Sequence, residues 1–133
     1  MPVVSSIGFS NNVTPIGPDQ QPDGEYAFAP TDTYASLQKT PTGATFDLFL
    51  PGPGVPRPPG ALPTPLPANG DYYRFADPLG SLTFAHSVTV HGSGFPIGGN
   101  PSVVLNVAGT EAEFTFDDTA QAWIACLCTP QGL

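Results

Sequence analysis

The sequence predicts an all-β protein: an antiparallel β-sandwich or a barrel-like (jelly-roll-like) domain. Three observations support this class. Apolar and polar residues alternate with a period of two in several short segments. Turn-forming residues separate these segments at short intervals, as in sandwiches and barrels. No segment carries the sustained 3.6-residue period of an amphipathic helix.

Each predicted strand rests on its own alternation. The first clear one places Phe46, Leu48 and Leu50 on one face. In a later one, Phe84 lies on the apolar side and His86 is the polar exception. The predicted strands cover residues 44–50, 72–77, 82–90, 102–107, 111–116 and 121–128.

The chain of 133 residues is long enough for one domain with a real core. Residues 1–33 mix short apolar pieces with frequent turn residues and are expected to form an extended N-terminal arm. Residues 34–133 are expected to form the β domain. The proline-rich segment 51–67 interrupts this domain, because proline donates no backbone hydrogen bond and is excluded from interior strands. We expect it to be a stiff surface loop, with docking to an aromatic groove as the alternative.

The charge balance excludes two classes of partner. Three basic residues (Lys39, Arg57 and Arg74) stand against eleven acidic ones, which gives a net charge of −8. Nucleic-acid binding requires a cationic surface, and anionic membranes repel an acidic chain. We therefore expect neither a nucleic-acid nor a membrane partner.

The N-terminal residues show no basic region followed by an apolar run, so we expect no secretory signal. No stretch approaches the ~18 apolar residues of a membrane span. The chain is expected to be made in a cytosol without export.

No catalytic or metal motif emerges. His86 and His91 lack a nucleophile motif, and on one strand they would point to opposite faces. The Asp117-Asp118 pair is typical of a turn, with a weak calcium site as the less favoured interpretation. The glycines of residues 92–99 are followed by neither a helix nor a lysine, so they do not form a phosphate loop. We predict a non-enzymatic protein with no cofactor.

The pair Cys126 and Cys128 leaves two interpretations open. Side chains two residues apart on a strand share a face, and an intrachain bond there would strain the strand. Two free buried thiols in a reducing compartment are one possibility. The other is that these cysteines are intersubunit thiols that form a disulfide with a neighbouring subunit.

A set of turn motifs between residues 67 and 127 resembles a β module of tailed-bacteriophage virion proteins, found in tail fibres and other appendages. A "P-x-N-G-D" turn opens a strand that ends in an acidic patch, a "V-T-V-x-G-x-G" strand follows, and an "F-x-F-D-x-T-x-x-W" hairpin closes the unit. Residues 46–51 would supply the preceding strand, and the proline-rich insertion departs from the usual short connection. The matching segments are 67–71 (PANGD), 73–77 (YRFAD), 88–94 (VTVHGSG) and 114–123 (FTFDDTAQAW).

The resemblance implies a virion structural protein, often a homotrimer, with no catalytic residues to transfer. A chain of this size is too short for a whole tail fibre, so we expect a capsid decoration (cement) protein. Its partners would be the major capsid protein or other virion proteins. It would be made in the host cytoplasm and be located on the capsid surface of the virion. The expected partner contacts are Val3, Val4, Ile7, Phe9, Pro53, Val55, Pro58, Tyr72 and Trp123.

Two alternatives remain. The protein could be a small head-fibre, tail-fibre or receptor-binding component, in which exposed Tyr72, Tyr73 or Trp123 contacts host glycan. A secreted lectin or carbohydrate-active enzyme is the third possibility, although a secretion signal and an acid–base pair are both missing from the sequence.

Overall fold

A computed structural model of the chain describes residues 13–29, 33–57, 59–62 and 65–128. These residues contain nine strands and no helix, so the all-β prediction is confirmed. The strands are β1 (Val13–Ile16), β2 (Glu25–Ala27), β3 (Tyr34–Leu37), β4 (Thr45–Phe49), β5 (Tyr72–Ala76), β6 (Ser87–His91), β7 (Ser102–Leu105), β8 (Glu111–Asp117) and β9 (Ala122–Cys128).

The strands form two sheets that do not close into a barrel. Sheet A has the order β1-β3-β5-β8-β9, and sheet B has the order β2-β4-β6-β7. Pairing is parallel among β1, β3 and β5 and among β2, β4 and β6, and antiparallel elsewhere. The prediction of purely antiparallel pairing is therefore wrong for the first six strands. It failed because short turns near the C-terminus were taken to represent the whole chain.

The first six strands alternate between the two sheets, so the chain winds through three successive turns, as in a short β-solenoid. Val13 pairs with Tyr34, 21 positions later, and Glu25 pairs with Asp47, 22 positions later. The third turn is longer, since Thr45 pairs with Ser87. The proline-rich segment lies in this longer connection, between β4 and β5, and accounts for the added length.

The last three strands add antiparallel pairs to the end of this winding. β7 pairs with β6 on sheet B, whereas β8 joins sheet A beside β5 and forms a hairpin with β9. Gly70 N–H donates to Phe116 O at 2.8 Å, and Asp118 N–H donates to the Asn69 side chain at 2.9 Å. The turn before β5 and the β8–β9 hairpin are therefore joined.

One hydrophobic core receives the inner faces of both sheets. Alternate residues point inward, as in β8, where Phe114 and Phe116 are buried between more exposed neighbours. The same pattern buries Phe46 and Leu48 in β4, as predicted. Burying apolar area at about 25 cal/mol per Å² makes this core the main stabilising term.

Residues 13–29, which the sequence places in an N-terminal arm, supply strands β1 and β2 of the two sheets. Ile16 and Phe28 from this segment belong to the shared core. Residues 1–12 of the predicted arm lie outside the described residues.

The proline-rich segment is anchored at its beginning. Gly54 N–H donates to Ser93 O at 2.9 Å. A Cβ atom on Gly52 would collide with the Ser93 carbonyl oxygen, so only glycine fits there. Pro51, Gly52, Val55 and Pro67 are buried, and the other described residues between Pro51 and Pro67 are exposed.

The predicted strand over residues 82–90 is shorter than expected, since β6 begins at Ser87. Phe84, expected on the apolar side, is 88% exposed. The preceding loop is organised by the buried Asp77 carboxylate. It accepts backbone N–H groups from Ser81 at 2.7 Å, Leu82 at 2.9 Å and Gly109 at 3.0 Å.

Candidate binding surfaces

The outer face of sheet A carries a charged and aromatic cluster centred on Arg74. Its guanidinium lies 3.3 Å from the Glu111 carboxylate and 3.7 Å from that of Glu113. The same guanidinium lies over the Tyr34 ring, 4.4 Å from its centroid. Planar stacking and paired hydrogen bonding suit arginine better than lysine. Arg74 is the one basic residue in the described strands of sheet A, and it is held among two acids and a tyrosine.

Tyr72 lies beside this cluster and is 40% exposed. Desolvation raises the pKa of its phenol, and a hydrogen bond to Glu113 raises it further. Its neighbour Tyr73 points into the core, where burial raises its pKa as well. Both phenols are therefore held in the neutral form, and only Tyr72 presents its ring to solvent.

The outer face of sheet B carries a second polar group. His91 Nε2 lies 2.9 Å from Asp47 Oδ1, and the imidazole stacks on the Phe49 ring with centroids 4.6 Å apart. The Thr45 and Thr89 hydroxyls are 2.7 Å apart on the same face. The His91–Asp47 contact is partly exposed on the strand face. The pairing of β4 with β6 brings these two side chains together, so the contact has a structural explanation.

Two hollows lie at loops. A small apolar cavity of about 80 Å³ is lined by Phe28, Tyr73 and the end of the proline-rich segment. A more open cleft of about 320 Å³ lies along residues 94–101, beside Phe95, Pro96 and Pro101. The first is far below the roughly 300 Å³ of typical ligand pockets, and the second has no charged residue in its lining.

Trp123 is 1% exposed, so the expectation that it contacts a partner or glycan is wrong for the folded chain. It points inward from β9, its ring packs on Tyr73 and Phe116, and its indole N–H donates to Gly92 O at 3.2 Å. Tyr73, 5% exposed, fails as a surface contact for the same reason. The strand alternation that buries Phe114 also buries these two rings.

The remaining expected contacts divide into three groups. Pro53 and Tyr72 are exposed, as a contact surface requires. Val55 is buried at 9% exposure, which removes it from the free surface. The others lie outside the described residues: Val3, Val4, Ile7, Phe9 and Pro58.

Cys126 and Cys128 are both free and exposed, so the expectation of buried thiols is wrong. Both point away from the core, because Trp123 and Ala125 occupy the inner face of β9. A disulfide between subunits stays a prediction, and the exposure of both thiols is compatible with it.

The histidines have structural surroundings in this part of the chain. His86 lies in the loop before β6, not in a strand, and its Nδ1 is 2.7 Å from Gly43 O. No group of three or more metal-ligating side chains occurs among the described residues. Across the same residues, no helix has the length and apolar character needed to cross a membrane.

Two features were missed at the level of sequence. The Asp47–His91 contact requires parallel pairing of β4 with β6, and no local pattern indicates that pairing. The buried role of Asp77 has a weak signal, since an aspartate before Pro78 and Gly80 is typical of a turn.

Comparison with known proteins adds no identification: the chain matches no protein-family model and no curated protein sequence. Neither comparison identifies a phage virion module, so that resemblance stays a prediction.

Proposed function

We propose that this protein is a non-enzymatic structural protein of a phage virion that binds the capsid surface as a decoration protein. One observation carries the proposal: two of the sequence motifs that resemble the virion module lie next to each other in the fold. The residue 67–71 turn and the residue 114–123 hairpin are bonded through Gly70–Phe116 and Asn69–Asp118. Motifs separated by some 45 residues thus build one structural unit.

The individual motif residues have structural roles. Asp77 binds three backbone N–H groups, and Trp123 fills the core. A Cβ atom on Gly92 would collide with the Phe95 carbonyl oxygen, and one on Gly94 would lie 2.9 Å from Pro53. Residues that hold a fold in this way favour a structural module, with sandwich-like packing of two sheets, over an enzyme.

Charge and surface also support binding to a protein. The net charge of −8 disfavours nucleic acid, so attachment would use apolar contacts and backbone pairing. The expected attachment segments are the N-terminal residues that include Val3, Ile7 and Phe9, and the exposed part of the proline-rich loop around Pro53.

A co-sedimentation experiment tests the proposal. The full chain is incubated with capsids that lack it, and the variant Ile7→Asp/Phe9→Asp is compared with Leu79→Asp, a control at a 68% exposed turn residue. We expect saturable binding of the wild type and the control, and loss of binding for the double variant. A wild-type chain that stays in the supernatant and is absent from purified virions would refute the proposal.

A second candidate function is host-glycan binding as a fibre or receptor-binding component. Exposed Tyr72, next to the Arg74–Glu111–Glu113 cluster, favours it, because sugars bind to aromatic rings flanked by hydrogen-bonding groups. A glycan array separates the two candidates: binding that Tyr72→Ala removes supports the receptor role, and no binding leaves decoration as the better account.

A further inference from the structure

β9 is an outer strand of sheet A and is unlike the other outer strands. Open sheet edges are usually protected by proline, charge or short length. β1 contains Pro15, β2 has three residues and begins with Glu25, and β7 has four residues directly after Pro101. β9 has seven residues, none of them charged and none of them proline. Its edge therefore has none of these protections.

The edge of β9 has backbone groups directed away from β8. Trp123 N–H donates to Pro96 O at 2.8 Å, so Trp123 directs its backbone outward. Backbone directions alternate along a strand, so Ala125 and Leu127 also direct N–H and C=O outward. Among the described residues, none forms a backbone hydrogen bond with the outward groups of Ala125 and Leu127.

The side chains near this edge are apolar or uncharged. Ile124 is 58% exposed and Leu127 is 46% exposed, and both cysteines are exposed. Two acids on the outer face of β8 border this edge, Glu111 opposite Cys128 and Glu113 opposite Cys126. Both lie beside the Arg74 guanidinium, at 3.3 and 3.7 Å, which offsets part of their charge. A chain with net charge −8 can therefore approach a second copy here with little repulsion.

We propose that β9 pairs antiparallel with β9 of a second copy about a two-fold axis, joining the two A sheets into one. Pro96 covers the edge at Trp123, which limits pairing to the five residues 124–128. The register that uses all five places Cys126 opposite Cys126 of the partner subunit. It also places Ala125 opposite Leu127 of the partner subunit, and about four hydrogen bonds join the strands.

This register fits a second copy better than an unrelated strand. On the inner face, each Leu127 meets the small Ala125 of the partner subunit and is covered by it. On the outer face, each Ile124 meets Cys128 of the partner subunit. The contact is self-complementary and closed, as a two-fold dimer requires. The proposal does not depend on the virion function, and it replaces the expected trimer with a dimer.

Native mass spectrometry of the full chain with reductant, over a concentration series, tests the pairing. We expect a species of twice 13.8 kDa. Ala125→Pro removes an outward N–H without breaking the β8 ladder, and Ile124→Lys adds charge at the edge, so each should give monomer. Val104→Lys, at a 54% exposed position on β7, is the matched control and should stay dimeric. A monomeric wild type, a trimer, or a dimer that survives both β9 variants would overturn the proposal.

Oxidation tests the register independently. Oxidised glutathione should convert the two facing thiols to one disulfide, taking up two electrons and two protons to yield two glutathione molecules. On a non-reducing gel, we expect a covalent dimer for wild type and Cys128→Ser, and its loss for Cys126→Ser. Equal crosslinking of the two single variants, or a lack of crosslinking in wild type, would contradict the Cys126-centred register.

Discussion

The winding formed by β1–β6 and the hairpin region formed by β7–β9 contribute to one core through different kinds of strand pairing. The winding has strands of three to five residues, joined by parallel pairing to residues more than 20 positions away. The hairpin region has the two seven-residue strands β8 and β9 in one local antiparallel ladder. Local ladders require less loop-closure entropy than distant pairing. We therefore expect the hairpin region to be more stable than the winding that packs with it.

The largest predicted effect is in the hairpin region. Trp123→Ala should lower the free energy of unfolding by about 3–5 kcal/mol, because it removes a buried ring packed on Tyr73 and Phe116. Urea denaturation followed by circular dichroism measures it. The control Val104→Ala, at a 54% exposed position on β7, should cost less than about 1 kcal/mol. Equal losses in the two variants would contradict the assignment of inner and outer faces.

The second prediction concerns the loop that joins the two regions. Asp77→Ala should cost about 3 kcal/mol, since it leaves the N–H groups of Ser81, Leu82 and Gly109 without their shared acceptor. Urea denaturation is again the measurement, and Asp118→Ala at an exposed turn is the control. A loss below about 1 kcal/mol for Asp77→Ala would show that other acceptors replace the carboxylate.

The hairpin region was largely predictable from the sequence. In the winding, β4, β5 and most of β6 were predicted as strands, but β1, β2 and the parallel pairing were not. Alternation around Phe114 and Phe116 indicates β8 directly, and the next turn indicates β9. The parallel pairing of β1 to β6 depends on contacts between distant residues, and three- or four-residue strands carry too few alternations to be recognised. Phe84 shows the opposite error. Its position fits the alternation of the predicted strand, but the residue lies in a loop and is exposed.

The candidate surfaces follow the same division. Of the three aromatic residues expected at the surface, only Tyr72 is exposed. Strand β5 was recognised, but the alternation that separates Tyr72 from the buried Tyr73 was not applied to it. The expectation for Trp123 was wrong because Trp123 pairs with Phe116 on β8, and paired residues point to the same face of the sheet. Since Phe114 and Phe116 point inward, Trp123 does so too. The Asp47–His91 contact was out of reach, since it depends on the unpredicted pairing of β4 with β6.

The third prediction tests the contact between the proline-rich segment and the loop after β6. Gly52→Ala should cost about 1–3 kcal/mol, because the new Cβ would collide with the Ser93 carbonyl oxygen. The matched control is Gly43→Ala, whose Cβ would lie 3.7 Å from its nearest neighbour. Thermal denaturation compares the two. Equal melting temperatures would mean that the segment is not held against Ser93.

The smallest predicted effect is a pH dependence at the contact between the two regions. Burial raises the pKa of Tyr73 above its usual value near 10, so the unfolded phenol ionises before the folded one. Its contribution to stability is therefore full below pH ~10 and is lost as the pH rises through the folded pKa. Tyr73→Phe should show a shallower alkaline decline in urea midpoint than wild type. An identical decline would exclude Tyr73 as its source.

Cryo-electron microscopy of purified virions tests the central claim, that the protein is a decoration protein on a capsid, most directly. The account predicts density for the two-sheet body at regular positions on the capsid lattice, contacted by the N-terminal residues or the proline-rich loop. Density confined to the tail would contradict the decoration role in favour of an appendage. Absence of the chain from the particle, by reconstruction and by mass spectrometry, would contradict the virion function altogether.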